Sequence, residues 1–157
     1  MRYLVLVFIA MMLGLLQYGP LARLPFPPDL LLAFAAWAMV DGTEDGVLVR
    51  AWLIGMVADG LDPGSVTFHA IGFLALALVY LPVRDLFFRT RFTGWAGWAA
   101  ICTLVLALAD GWVSGFGDAT AWRIFGQVAL TATIAMGLGW LFGGLPMAVQ
   151  PVGKGGA

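Results

Sequence analysis

The chain has 157 residues, 62% of them hydrophobic and only 11% charged, with a net charge of −1 and a mean hydropathy of +0.95. Soluble domains are about 45–50% apolar and about 25% charged, so the composition points away from a soluble globule and toward an integral membrane protein built as one domain. The near-neutral charge excludes a nucleic-acid footprint, and the continuous apolar runs, which do not alternate with period two, exclude a transmembrane β-barrel.

In chain order, Tyr3–Tyr18 reads as a first helix. Arg2 followed by an apolar run resembles a secretory leader, but Gly19-Pro20-Leu21-Ala22 is a poor cleavage site, so the segment is expected to be retained. Ala10 and Gly14 form a small-xxx-small pair suited to close helix packing. Gly19-Pro20 ends the helix, and Pro25, Pro27 and Pro28 make Leu21–Pro28 a stiff, extended connection.

The second helix, Leu30–Val40, is shorter than the roughly 20 residues of a full span. It either starts back at Phe26 in a locally thinned bilayer, or it is a half-helix or re-entrant segment. Asp41–Gly46 reads as a surface loop. The third helix is expected at Val47–Gly60 and the fourth at Val66–Leu81, stopped by Pro82. The corner between them, Leu61-Asp62-Pro63-Gly64-Ser65, has the residues of a tight turn, with Ser65 where an N-cap belongs.

Arg84, Arg89 and Arg91 follow, interleaved with phenylalanines. They form either an interfacial helix or the charged end of helix four, with arginines reaching headgroups at the cytoplasmic surface. The fifth and sixth helices are expected at Trp95–Trp112 and Trp122–Phe142, the latter carrying Gly139-x-x-x-Gly143. The expected architecture is an all-α, polytopic bundle of about six transmembrane helices over residues 1–144, with a loose tail over 145–157. In that topology Arg2, Arg50, Arg84, Arg89, Arg91 and Lys154 face one side and Arg23 and Arg123 the other, so both termini are expected in the cytoplasm. Tyr3, Tyr18, Tyr80, Trp95, Trp112, Trp122 and Trp140 sit at run ends, as an aromatic belt does.

Asp59 stands out. A carboxylate near the end of an apolar helix costs roughly 2.5–3.5 kcal/mol on insertion scales, and a helix C-terminus disfavours its charge. It needs a partner, whether another molecule or simply the Asp62–Ser65 turn. Asp59, Asp62, His69 and Asp110 are expected to collect at one end of the bundle. His69 is either a pH-sensitive contact or a histidine satisfied by a carboxylate or a headgroup. Asp-Gly-x-x-x-Gly occurs at Asp41–Gly46, Asp59–Gly64 and Asp110–Gly115, hinting at a repeat of helices one to three in helices four to six.

Enzyme signatures are weak. Gly115-Phe116-Gly117-Asp118 resembles the intramembrane aspartyl peptidase motif, which needs a second aspartate to share a proton. Ser114 with His69 lies in no nucleophile motif. Cys102, the only cysteine, has no disulfide or metal partner and reads as a small buried hydrophobe. No zinc, phosphate-loop or dinucleotide motif occurs, and no cofactor is expected.

Pro28-Asp29-Leu30-Leu31-Leu32, Gly55-Met56-Val57-Ala58-Asp59, Gly64, His69-Ala70 and the basic stretch Arg84–Arg91 together resemble the MreD family of bacterial rod-shape-determining membrane proteins. The similarity covers roughly Phe26–Arg91. The acidic Asp41–Asp45 loop departs from that family's pattern, where basic residues are more usual. The resemblance implies a fold like the substrate-binding subunits of energy-coupling-factor transporters. It also implies a non-enzymatic place in the inner-membrane cell-elongation complex, beside MreC, with links to MreB, RodA and penicillin-binding protein 2. Grooves at Ala10/Gly14, Gly55 and Gly139/Gly143 would then receive the MreC helix, with Asp59 as a polar anchor. A small-solute-binding transporter subunit and an aspartyl peptidase are the alternative readings.

Overall fold

The computed structural model describes residues 2–40, 44–62, 68–87, 91–114 and 121–143. Within these, the side chains of residues 2, 40, 44, 45, 84–87, 91–95, 110, 111, 113, 114, 121, 139 and 141–143 are outside the description. The elements are α1 (Arg2–Tyr18), a short 3-10 turn (Leu21–Arg23), α2 (Leu30–Val40), α3 (Glu44–Leu61), α4 (Phe68–Phe87), α5 (Arg91–Ser114) and α6 (Ala121–Gly143). The described residues are all-helical, as expected from the continuous apolar runs.

α2 is the hub. It is apolar on every face, and Leu31–Ala36, Ala38 and Met39 are buried. It touches every other α-helix. A helix without a polar stripe must be enclosed, and α1, α3, α4, α5 and α6 enclose it. α3 and α4 form one closely packed hairpin and α5 and α6 another, while α1 packs on α2 and α3. Buried Tyr80 of α4 lies against Trp98 of α5, with ring centroids 5.3 Å apart. Trp98 in turn donates its indole N–H to the Met39 sulfur of α2 at 3.5 Å.

The route into α2 explains its shortness. From Leu24 the chain descends along α6. Phe26 lies edge-on to Trp122, 6.2 Å between centroids, and fills the space a side chain at Gly126 would need. Three residues on, the Asp29 N–H donates to Thr131 Oγ1 at 3.0 Å. Thr131 is 10 residues from the start of α6 and 12 from its end, so α2 begins about 15 Å along a neighbour about 34 Å long. It is a half-length helix that starts at Leu30, not at Phe26.

A helix that starts inside a bundle must find partners for its first N–H groups. Asp29 Oδ1 accepts from the Leu32 N–H at 2.9 Å, an N-cap three residues ahead. The Leu31 N–H donates to Gln17 Oε1 of α1 at 3.0 Å, and Gln17 also hydrogen-bonds the Asp29 side chain. At the other end Arg50 of α3 donates to the Ala38 carbonyl at 3.5 Å, placing a cation at the negative pole of α2. Arg50 is therefore tied to α2, and it is not a free surface charge.

Several boundaries differ from expectation. α3 begins at Glu44, so Glu44-Asp45-Gly46 form its first turn and not a loop. Two acids there suit the positive helix end. α4 does not stop at Pro82 but runs through it to Phe87. Pro82 is exposed, and at that position α4 both forgoes the bond to the Leu78 carbonyl and accommodates the ring against it. Arg84 accordingly belongs to the end of α4 and Arg91 opens α5, while Arg89 lies outside the described residues. The stretch is two helix ends, with no separate interfacial helix in what is described. The stiff connection at Leu21 is a 3-10 turn, and the extended backbone begins at Leu24 (φ −70°, ψ 149°). A repeat of helices one to three in four to six does not hold in the packing. The enclosed 11-residue α2 would correspond to α5, which has 24 residues and an exposed apolar face. Residues 145–157 lie outside the description.

Among the described residues one stretch, Tyr3–Arg23 with a mean hydropathy of 2.0, is long and apolar enough to cross a bilayer. Leu30–Met39, Phe68–Val83 and Ala96–Ala109 are shorter apolar helical stretches. Near an amino terminus, a leader sequence shares the character of the first stretch.

Replacing Asp29 with alanine is expected to destabilise the fold by about 1–2 kcal/mol, while Asp29→Asn, which still caps, loses only a fraction of that. Thermal unfolding of the purified variants checks the order. Equal losses would mean that charge, and not capping, is what Asp29 contributes.

Candidate functional site

The polar residues of the interior gather where α1 and α3 end and α2 and α4 begin. Asp59, one turn before the end of α3, reaches across to the first turn of α4. Its Oδ1 accepts from the His69 N–H at 2.8 Å and its Oδ2 from the Ala70 N–H at 2.9 Å. His69 Nδ1 lies 3.1 Å from Oδ1 as well. The carboxylate thus holds two successive amides at the positive end of α4, in the manner of an anion at a helix N-terminus. Such charge-assisted hydrogen bonds are short and strong. The Asp59 side chain is only 8% exposed, so water competes weakly.

Gly55 makes this clasp possible. It lies one turn before Asp59 on the same face of α3. A Cβ built there would stand 2.5 Å from Ala70 Cα and 2.8 Å from the His69 carbonyl oxygen. Glycine lets the backbone of α4 touch α3, and that contact brings the two amides within reach of Asp59. The His69 ring is set edge-on to Phe68 (5.9 Å) and to buried Phe73 (6.0 Å), which fixes its orientation.

Other polar groups complete the cluster. The Tyr18 hydroxyl lies within electrostatic reach of Asp29, Asp62 and Asp59, and Asp29 within that of His69. The Asp62 N–H closes the last turn of α3 on the Ala58 carbonyl at 3.0 Å. Asp59 and His69 are thus in contact, and Asp62 lies within reach of the same Tyr18 hydroxyl. Asp110 belongs to α5, and its side chain is outside the described residues. Gln17, Tyr18 and Asp29 stand at the same end. Asp29 carried a legible signal, an aspartate immediately before an apolar helical run. Gln17 and Thr131 carried none, because a lone amide or hydroxyl in an apolar helix gains meaning only from what it faces.

The small-residue positions are used within the chain. A side chain at Gly14 would strike Leu61 and come within 3.4 Å of Leu31, and Ala10 is fully buried. Gly55 meets α4. Grooves at Ala10/Gly14 and Gly55 are therefore filled by this chain's own helices and are not open to a partner helix. Gly139 and Gly143 lie in α6, with nothing described of their surroundings.

Among the described residues no group of three or more histidine, cysteine or acidic side chains has the geometry to hold a metal ion. Cys102 is buried and free. The Gly115–Asp118 motif lies outside the described residues, as does the Ser114 side chain, so neither enters the site. Compared with known proteins, the chain matches no family model, no curated protein and no solved structure.

Chemically the site is a set of acceptors already holding main-chain donors. Both Asp59 oxygens and one Asp29 oxygen serve helix ends, which suits support of the fold better than proton transfer. Asp59→Leu is expected to destabilise by about 2–4 kcal/mol, since two amides and a histidine lose a charged acceptor. Gly55→Ala should cost about 1–3 kcal/mol by overpacking against backbone. The double variant should lose less than the sum, because both act on one contact. Additive losses in thermal unfolding would separate the two residues.

Proposed function

We propose that the chain is a non-enzymatic, multi-helix membrane protein that serves as an assembly component of the bacterial cell-elongation complex, next to MreC. The observation that carries the membrane part is the distribution of side chains. The interior holds the polar residues and their capping bonds, while every outer helix presents large apolar side chains outward: Phe8 on α1, Trp52 on α3, Ile71 on α4, Ile101 on α5 and Phe125 on α6. Soluble monomers rarely carry apolar surface on this scale, whereas a bilayer requires it.

The cell-elongation part rests on the resemblance to MreD. It is supported by where the matching residues fall: Asp29 caps α2, and Gly55, Asp59, His69 and Ala70 make the clasp between α3 and α4. The matched positions are thus the ones on which the bundle depends. Because Asp59 holds the amides of His69 and Ala70 within the chain, the expected partner surface shifts. MreC would meet the outer faces of the bundle, and the clasp would act by keeping those faces in place. Contacts with MreB, RodA and penicillin-binding protein 2 would be direct or through MreC.

The test is recovery of the tagged protein from native membranes. MreC is expected in the eluate, with reduced recovery for Gly55→Ala, which unseats α4 without touching an outer face. An intact, membrane-extracted chain that brings no MreC overturns the assignment. Reporter tags at Met1 and Ala157 are both expected to be shielded in spheroplasts and cleaved only in inverted vesicles. A tag cleaved from outside overturns the six-span, cytoplasmic-termini topology.

A further inference from the structure

We infer that the rim carrying the Leu21–Arg23 turn and the start of α6, joined through Phe26, binds the phosphate headgroups of anionic phospholipids through Arg23 and Arg123. The inference rests on the membrane reading and names the lipid class that one edge of the bundle selects. Phe26 ties the turn to α6 by its contacts with Trp122 and Gly126, and Trp122 stacks on Phe125 at 6.3 Å and 23°. Arg23 lies three residues before Phe26, and Arg123 is next to Trp122, so the two arginines flank the Phe26–Trp122 contact. Both arginines are exposed. Among the described residues neither forms an ion pair.

Depth supports the assignment. Arg123 is eight residues before Thr131, about 12 Å along α6. With the middle of α6 at the bilayer centre, that places Arg123 near the edge of a hydrocarbon core whose half-thickness is about 15 Å. Headgroup phosphates lie there. A guanidinium offers paired N–H donors to phosphate oxygens. Exposed Trp122, 68% accessible, has the amphipathic ring that sits at headgroup level. Leu24, exposed beside Arg23, favours a lipid over a free anion, because an inorganic phosphate leaves it in water.

The experiment reconstitutes the full chain in vesicles of pure phosphatidylcholine and in vesicles in which a third of the lipid is phosphatidylglycerol. Flotation reports insertion and thermal unfolding reports stability. The wild type is expected to unfold about 2–4 °C higher in the anionic vesicles than the Arg23→Gln/Arg123→Gln double variant does, with the two equal in phosphatidylcholine. The difference should shrink in high salt. Insertion with the same anionic response in both proteins overturns the headgroup site and leaves the membrane reading standing. Failure to insert overturns both. An equal gain from inorganic phosphate added to phosphatidylcholine vesicles would make the ligand a free anion and also overturns it.

Discussion

A helix end placed among apolar side chains leaves its first N–H groups without water, and an unpaired amide there costs more than most single contacts return. That constraint governs this protein. α2 starts halfway along α6, and α4 starts pressed against α3 at Gly55. Each start is met by a carboxylate. Asp29 caps α2 from the adjoining residue, while Asp59 caps α4 from another helix altogether. The first is a local cap. The second makes the pairing of α3 with α4 a condition for satisfying both partners. Gln17 and Thr131 extend the same solution to α1 and α6, so the polar atoms of the interior act as fasteners between helices.

This arrangement lets the rest of the bundle be almost featureless. α2 needs no polar face, because its two ends are held by Asp29 and Gln17 on one side and Arg50 on the other. The helices around it need only an inner face of small and aliphatic residues and an outer face that lipid can cover. Small residues are used where another helix comes close: the Leu61 side chain fills the space at Gly14, and backbone meets backbone at Gly55. On the membrane reading proposed above, helices gain little from hydrophobic association and depend on close packing and hydrogen bonds. The clasp provides both at one point. The interior carboxylates are already committed to amides, an arrangement that supports the fold. It moves the interest to the outer faces and the rims, where Arg23, Arg123 and Trp122 stand exposed.

Much of the helical layout was legible in the chain. The six apolar runs correspond to six helices, and the half-helix alternative for Leu30–Val40 is the one realised. The misplacements have physical causes. Pro82 reads as a stop because proline breaks the interior bonding pattern, yet at an exposed position late in α4 the helix continues past it. Glu44 and Asp45 read as loop because they are charged, yet acids are favoured at a helix start. Repetition of Asp-Gly-x-x-x-Gly suggested symmetry, yet α2 and α5 differ too much in length and burial to be counterparts.

The amino-acid sequence alone determined a helical protein, because its apolar runs are long and continuous, with large apolar side chains on the outside, because charged residues are few. It also singled out Asp59, because an acid in such a helix must find a donor. Only the tertiary structure decided which donor. The amides of His69 and Ala70 lie 10 and 11 residues along the chain from it, and a carboxylate carries no mark of the backbone it will meet. The same holds for Gln17, Tyr18 and Asp29, which share the interior end with Asp59. Spacing along a chain predicts the face of a helix, but which faces meet is settled by how five helices close around a sixth.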